Sequence, residues 1–236
     1  MPRTFLQAEW RKLIMANYAF DSERLKPYLP HKTELDLWNG VCYVSLIGFM
    51  FMDTKVKGFK IPFHTNFEEV NLRFYVRFRD NGLWKRGTVF IKEIVPKSAL
   101  TWVANTVYKE KYETMPMSHT WRQADGQQLV QYNWKKTQWN SLQVRTGLGL
   151  KEIQASSEEE FITEHYWGYT RINDQTTSEY GVEHPRWQVY ETLDYTVDVN
   201  FSDIYGPHFA TLQDLKPQSV FLAEGSAIQV KEGRRI

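Results

Sequence analysis

The sequence predicts a chain of the α+β class, mostly antiparallel β, with a few short helices at its periphery. Three observations carry this. First, residues 67–95 keep a period of two for longer than any other stretch: Val70, Leu72, Phe74, Val76 and Phe78 form an apolar face, and Glu69, Asn71, Arg73, Tyr75, Arg77 and Arg79 a polar one. Second, the pairs Asn39-Gly40, Asn81-Gly82 and Asp125-Gly126 separate apolar runs, the strongest short-range hairpin signal. Third, 15% of the residues are aromatic, nine Trp among them, enough to build a thick core or to line a pocket for a flat or apolar ligand. A sheet of many antiparallel strands tends to close on itself or fold into a sandwich, because closure removes exposed edges.

In chain order, residues 10–20 are apolar and read equally as helix or strand. Asp21 caps a short helix in DSERLKPYL, which Pro30 ends. Residues 34–38 and 41–49 flank the Asn39-Gly40 turn, and residues 53–66, without a period, read as a loop. After the long hairpin, Ser98 is placed to cap a helix over residues 99–111, with Leu100, Val103 and Val107 as its buried stripe, widened by Trp102 and Thr106. Met115-Pro116-Met117 breaks it. Residues 119–124 and 127–139 read as a hairpin around Asp125-Gly126, and residues 142–150 as a weak strand. Ser156 to Glu160 holds two overlapping capping boxes, Ser156 with Glu159 and Ser157 with Glu160, opening a short helix to about His165. Strands over 167–172 and 179–192 follow, then a last helix near 209–212 capped by Asp203, and two short strands at 219–223 and 227–230 separated by Glu224-Gly225-Ser226.

Composition bounds the function. No Gly/Ser tract, Pro run or block of like charge marks a linker, so residues 1–236 read as one domain. With 29 basic and 28 acidic residues the formal charge is +1, which offers no electrostatic handle for nucleic acid or an anionic membrane. The single cysteine, Cys42, lies between Val41 and Tyr43 and reads as a small buried hydrophobe rather than a nucleophile. The first fifteen residues lack an uninterrupted apolar core, and no window approaches a membrane-spanning length; the expectation is a cytoplasmic protein without a membrane partner.

The chemistry concentrates in a few places. Glu69 and Arg73 lie ~13 Å apart along the strand with Asn71 between them. They form either a solvated sheet face or the wall of a polar hollow where a carboxylate, an amide and a guanidinium converge on a ligand. The six histidines show no HxH, HExxH or i, i+4 spacing, so no metal and no cofactor is expected. A Gly-rich phosphate loop and a Gly-x-Ser-x-Gly elbow are both missing. Two clusters remain, EHYWGYTR over 164–171 and EHPRW over 183–187, which read either as an aromatic core with Arg stacked on Trp or as a second wall of the hollow that holds Glu69.

These stretches carry a resemblance. LWNGVCYVSLIGF from Leu37, FEEVNLRFYVR from Phe67, YWGYTR from Tyr166, VEHPRW from Val182 and FLAEGS from Phe221 resemble the YqjF-like family of uncharacterised bacterial proteins, in the acetoacetate decarboxylase-like superfamily. The resemblance spans nearly the whole chain. It implies a curled, mostly antiparallel β-barrel or cone with peripheral helices and a central cavity, and no established reaction. The more distant decarboxylases form a Schiff base on a lysine in a Gly-Phe-Pro-Lys-Lys run after a helix, with its pKa depressed by a neighbouring lysine and a dry pocket. On this resemblance Met117 occupies that lysine's place, Lys97 in Val95-Pro96-Lys97 is a local mimic on the wrong side of the helix, and Glu69 answers the decarboxylase carboxylate. The resulting expectation is a binder of a small carbonyl- or carboxylate-bearing ligand. Arg73 meets its charge, Glu69 supplies hydrogen bonding or acid/base work, and Asn71, Tyr75, Met117, His119, Trp167, Tyr169, His184 and Arg186 form walls and polar contacts. Two alternatives stand beside it: a lyase, isomerase or hydrolase using Glu69 as general acid/base, and a protein-interaction module with a large exposed apolar patch. Self-association into a homo-oligomer is left open.

Overall fold

From the N-terminus the strands are β1 (Thr4–Ala19), β2 (Thr33–Leu35), β3 (Tyr43–Val56), β4 (Phe59–Lys60), β5 (Phe67–Asp80), β6 (Leu83–Val95), β7 (Tyr112–Thr114), β8 (Met117–Ala124), β9 (Gln127–Lys135), β10 (Trp139–Glu152), β11 (Trp167–Asn173), β12 (Thr176–Glu183), β13 (Gln188–Asp198), β14 (Ser219–Lys231) and β15 (Arg234–Arg235). Four short helices accompany them, α1 (Ser22–Leu25), α2 (Ser98–Val103), α3 (Glu158–Thr163) and α4 (Phe201–Tyr205). These elements belong to a computed structural model that describes residues 3–236, apart from the side chains of Val107 and Tyr108. Val107 of the expected helical stripe therefore lies outside the described side chains.

All fifteen strands join in one sheet of order β15-β12-β11-β6-β5-β3-β1-β14-β13-β10-β9-β8, with β2, β4 and β7 attached at the side. β12 also pairs with β14 at Val182 opposite Val230 and Glu183 opposite Gln229. This short contact pinches one end of the curl shut, while β13, β10, β9 and β8 leave the ring and fold over its outer face. The result is a cone rather than a closed barrel.

The turns follow from backbone chemistry. Asn81-Gly82 and Asp125-Gly126 both take positive φ, as a two-residue hairpin turn requires, and join β5 to β6 and β8 to β9. Asn39-Gly40 has the same backbone but closes only a single bridge, Trp38 to Val41, because the preceding segment is drawn to β5: β2 pairs there, and the Asp36 amide donates to the Tyr75 carbonyl at 3.0 Å. Residues 10–19 resolve as strand, within β1.

Several expected boundaries shift. Residues 53–66 are not a loop throughout: β3 runs to Val56 past an Asp53 of positive φ, and Lys57-Gly58 turns the chain into β4. The break at Asp53 hid the period. The two expected closing strands are one, β14, bent at Gly225, where φ is 81° and an added Cβ would stand 2.0 Å from the Trp10 carbonyl oxygen. The helix over 99–111 is shorter and less buried than its stripe implies. Lys97, not Ser98, is its N-cap, Trp102 is 68% exposed, and the helix widens into a π turn over Ala104–Tyr108 before Lys109 reverses the chain with φ 59°. Of its apolar residues Leu100 packs against the interior. The last helix expected near 209–212 is present as a 3-10 helix over Pro207–Gln213, which Asp203 does not cap; Asp203 lies in α4, whose cap Asn200 accepts from its amide at 3.0 Å. Ser157 caps α3 as expected, accepting from the Glu160 amide at 3.2 Å, while the Glu160 carboxylate takes the Ser156 amide.

Burial on the two faces of the sheet differs in kind. The outer face buries Val70, Leu72, Phe74 and Val76 with Tyr132, Trp134, Leu142 and Val144 of β9 and β10 and with Phe201 and Phe209, a mainly apolar interface in which the Tyr132 hydroxyl donates to the Lys12 carbonyl and Trp134 Nε1 is unpartnered. The inner face buries Phe49, Phe67, Tyr75, Phe161, Ile162 and Trp187, but it is interrupted by polar residues.

Candidate functional site

The hydrophilic row of β5 is turned inward. Glu69 and Asn71 are each 2% exposed, and Arg73 is half-buried. The Asn71 amide donates to Glu69 Oε1 at 3.0 Å, and the Tyr112 hydroxyl donates to Glu69 Oε2 at 3.2 Å. Arg73 donates from Nη2 to the Ile162 carbonyl at the end of α3 at 3.1 Å, and its guanidinium lies 5.4 Å from the Tyr75 ring centre.

A β-bulge adds a second carboxylate. Asn71 pairs with Glu93 but Arg73 with Phe90, so β6 carries one extra residue here. Because neighbouring side chains alternate faces, the insertion switches parity, and Glu93, Thr88 and Arg86 all fall on the Glu69 face. Glu93 is 3% exposed. The reversal at Lys109 brings a third carboxylate, Glu110, to β11, where the Thr170 hydroxyl donates to its Oε1 at 2.7 Å. Asn105, in the π turn, clamps the adjoining strand through both backbone groups of Tyr112, each at 2.8 Å. On β12 Tyr180 lies flat against Gly168, where a Cβ would stand 2.2 Å from the ring. Two strands, β11 and β6, separate β12 from β5, yet the Tyr180 hydroxyl feels Glu69, Glu93, Glu110 and Arg73, as a sheet curled toward this face allows.

Burial sets the electrostatics. Loss of solvation pushes Glu69 and Glu110 up to about 7 and Glu93 well above the usual carboxylate range, with mutual repulsion adding to the rise for Glu69 and Glu93. Desolvation likewise drives the Tyr112 and Tyr180 phenols upward, with the neighbouring carboxylates reinforcing it. Glu110, Tyr112 and Tyr180 are ringed by protein yet keep part of their surface accessible.

A second polar group lies farther along the same face. His165 Nε2 meets Asp36 Oδ2 at 3.1 Å, and Arg86 donates from Nε to the same oxygen at 2.6 Å. Burial pushes the His165 imidazole down to about 4, so it is neutral at pH 7. Burial alone would raise Asp36, but the hydrogen bonds from His165 and Arg86 outweigh it and hold the carboxyl below its usual range. On this face Trp10 Nε1, Asn71 Oδ1, Arg73 Nε, Glu93 Oε2, Glu164 Oε1 and His165 Nδ1 are buried without a hydrogen-bond partner. Such orphans are uncommon in a packed interior.

Of the residues expected from the sequence, Glu69, Asn71, Arg73 and Tyr75 come together. His184 joins them from the β12–β13 connection: it stacks on Trp187 at 4.2 Å, feels Arg73, and also borders a surface recess of about 480 Å³. Arg186 ties α3 to the rim through Glu160 at 2.6 Å and the Ile153 carbonyl at 2.9 Å. Met117, His119, Trp167 and Tyr169 do not join the group. Met117, Trp167 and Tyr169 pack into the outer core, and His119 pairs with Glu68, on the opposite side of β5 from Glu69. The residues that follow the helix directly are Lys109, Glu110 and Lys111, and Glu110 is the one that reaches the carboxylates, so Met117, two strands farther on, is not at the helix's exit. Lys97 sits at the helix's other end. Glu93, Glu110, Tyr180 and Asp36 escaped sequence reasoning, whereas His165 and Thr170 lie in the 164–171 cluster read as a second wall. The bulge hid Glu93, and Glu110 lies in a charged run that reads as surface. Among the described residues no group of three or more His, Cys, Asp or Glu is arranged to hold a metal ion, and no helix is long and apolar enough to cross a membrane.

Comparison with known proteins agrees with this architecture. The model of the DUF2071 family, described as an uncharacterized conserved protein (COG2071), matches residues 7–227. The uncharacterized protein YqjF of Bacillus subtilis (strain 168) is 29% identical over 75 residues, 31% of each chain. Among solved structures, acetoacetate decarboxylase from Legionella pneumophila aligns with a TM-score of 0.66 at 10% identity, covering 98% of this chain and 87% of that one. An acetoacetate decarboxylase-like enzyme from Sphingomonas wittichii RW1 gives 0.66 at 9% identity over 99% and 94%. The enduracididine biosynthesis enzyme MppR complexed with pyruvate gives 0.66 at 12% over 100% and 91%. At such identities the structural likeness speaks for the fold alone. The chain thus belongs to the DUF2071 family and folds as an acetoacetate decarboxylase-like cone.

Proposed function

We propose that the chain binds a small organic molecule bearing a carbonyl or carboxylate in a hollow on the inner face of the cone. The supporting observation is the set of buried, unpartnered polar atoms on that face, from Asn71 and Glu93 to Arg73 and His165. A packed interior would have paired them. Glu110, Tyr112 and Tyr180, enclosed yet partly accessible, support space between them. In this reading the free Nε of Arg73 meets a carboxylate or carbonyl oxygen. Glu69 and Glu110, held near pH 7, donate or accept according to protonation state. The cytoplasmic setting expected from the sequence and the bacterial one carried by the resemblance belong to the same proposal.

A second reading is favoured by that poise alone. A carboxyl titrating near 7 is matched to general acid/base work, so Glu69 could serve a lyase, isomerase or hydrolase reaction by moving a proton on the bound molecule. The residue that the helix delivers to the cluster is a carboxylate, which cannot form an imine, so the proposed chemistry is hydrogen bonding and proton transfer. Native mass spectrometry of protein from its own host tests the binding reading. The wild type should carry an added mass that denaturation releases and that Arg73→Met lacks. Equal native and denatured masses for the wild type would overturn it.

A further inference from the structure

The unpartnered atoms of the inner face are unevenly divided. Asn71 Oδ1, Glu93 Oε2, Glu164 Oε1 and His165 Nδ1 stand against two donors, Arg73 Nε and Trp10 Nε1, the latter packed against Phe49, Phe51 and Trp187. Asp36 accepts from His165 Nε2, so Nδ1 carries the lone pair. Asn71 already donates to Glu69, which leaves its carbonyl oxygen to accept. Glu93 faces Asn71 across the β5–β6 ladder, with Cβ atoms ~5 Å apart at such a pair. Its free oxygen and that of Asn71 thus stand on the face of Glu69, within electrostatic reach of Glu110 and of the Tyr112 and Tyr180 hydroxyls. Three carboxylates against Arg73 and Lys111 leave this cluster short of positive charge and of donors.

We infer that the bound molecule carries a protonated amine, seated among Glu69, Glu93 and Glu110 with Asn71 Oδ1 as a further acceptor, while its carbonyl or carboxylate lies toward Arg73. The inference rests on the reading of the inner face as a ligand site and narrows it to amino-acid-like molecules, as opposed to plain oxo acids. An ammonium offers three donors, and tyrosine rings attract it through their π faces. In the empty protein protons do this work. Burial and mutual repulsion keep the acids protonated at higher pH than usual, and an entering ammonium displaces such a proton. The other ionisable groups at the cluster are Arg73 on β5, Lys111 beside Glu110, Tyr112 on β7 and Tyr180 on β12.

The test is saturation-transfer NMR at pH 7.5 with the twenty protein amino acids, putrescine and 4-aminobutyrate, against pyruvate, acetoacetate, 2-oxoglutarate and lactate. At least one amine should bind, ten-fold or more tighter than every amine-free acid, and Glu93→Gln and Glu110→Gln should each weaken it ten-fold or more. Calorimetry of the wild type in buffers of different ionisation enthalpy adds a readout that needs no variant: binding should release protons. Oxo acids binding as well as the amines, or amine binding without proton release, would overturn the inference and leave the ligand site standing. Silence from every probe, with no co-purifying mass, would overturn both.

Discussion

Replacing Glu69 with Gln tests whether the inward row is as buried as its contacts indicate. The Glu69 carboxyl titrates at about 7 in the fold against 4.5 when free, a displacement worth roughly 3 kcal/mol at 1.36 kcal/mol per pH unit. Its folded value is raised, so the native state holds the proton more tightly than the unfolded chain. The contribution is present in full below pH 4.5 and is lost as pH rises to about 7. Gln cannot ionise and escapes this loss. It does set its NH₂ against one of the two donors, Asn71 Nδ2 or the Tyr112 hydroxyl, at a cost of about 1 kcal/mol. Glu69→Gln should therefore be slightly less stable than wild type at pH 4.5 and about 2 kcal/mol more stable at pH 8, the curves crossing between. That gap already contains the relief of the repulsion between Glu69 and Glu110. Urea unfolding followed by Trp fluorescence at intervals from pH 4.5 to 8 reads the difference directly. A gap that stays constant across this range would refute the burial argument.

Two further outcomes follow from packing. Gly168→Ala places a Cβ 2.2 Å from the Tyr180 ring and should cost about 1–3 kcal/mol by overpacking, a cost that vanishes in a Tyr180→Ala background; an equal cost in both backgrounds would place its origin elsewhere. Cys42 is 6% exposed and burial pushes its thiol up to about 11, so the native protein should react with a disulfide reagent only at the rate of its opening, and rapidly in urea; fast labelling of native protein would contradict this.

Much of the fold was legible because local chemistry and tertiary structure agree. The alternation over β5 gave its strand and both faces, and Asn81-Gly82 and Asp125-Gly126 gave hairpins whose positive φ only such residues take easily. The failures have physical causes. The stripe on α2 suggested burial that the fold does not supply, since few of its neighbours lie within reach and Trp102 stays in solvent. Glu224-Gly225-Ser226 looked like a turn because the signal for positive φ at Gly is the same for a reversal and for a bend within one strand.

The candidate site divides along the same line. By itself the sequence determined that Glu69, Asn71, Arg73 and Tyr75 share one side of one strand, because side-chain period is a local property of the backbone. Which way that side faces was decided by the curl of the whole sheet, and so was the company it keeps. Glu93 arrives through a one-residue bulge, Glu110 through a chain reversal and Tyr180 from three strands away. Each position depends on contacts between segments far apart in the chain, and side-chain spacing along one strand carries no record of them.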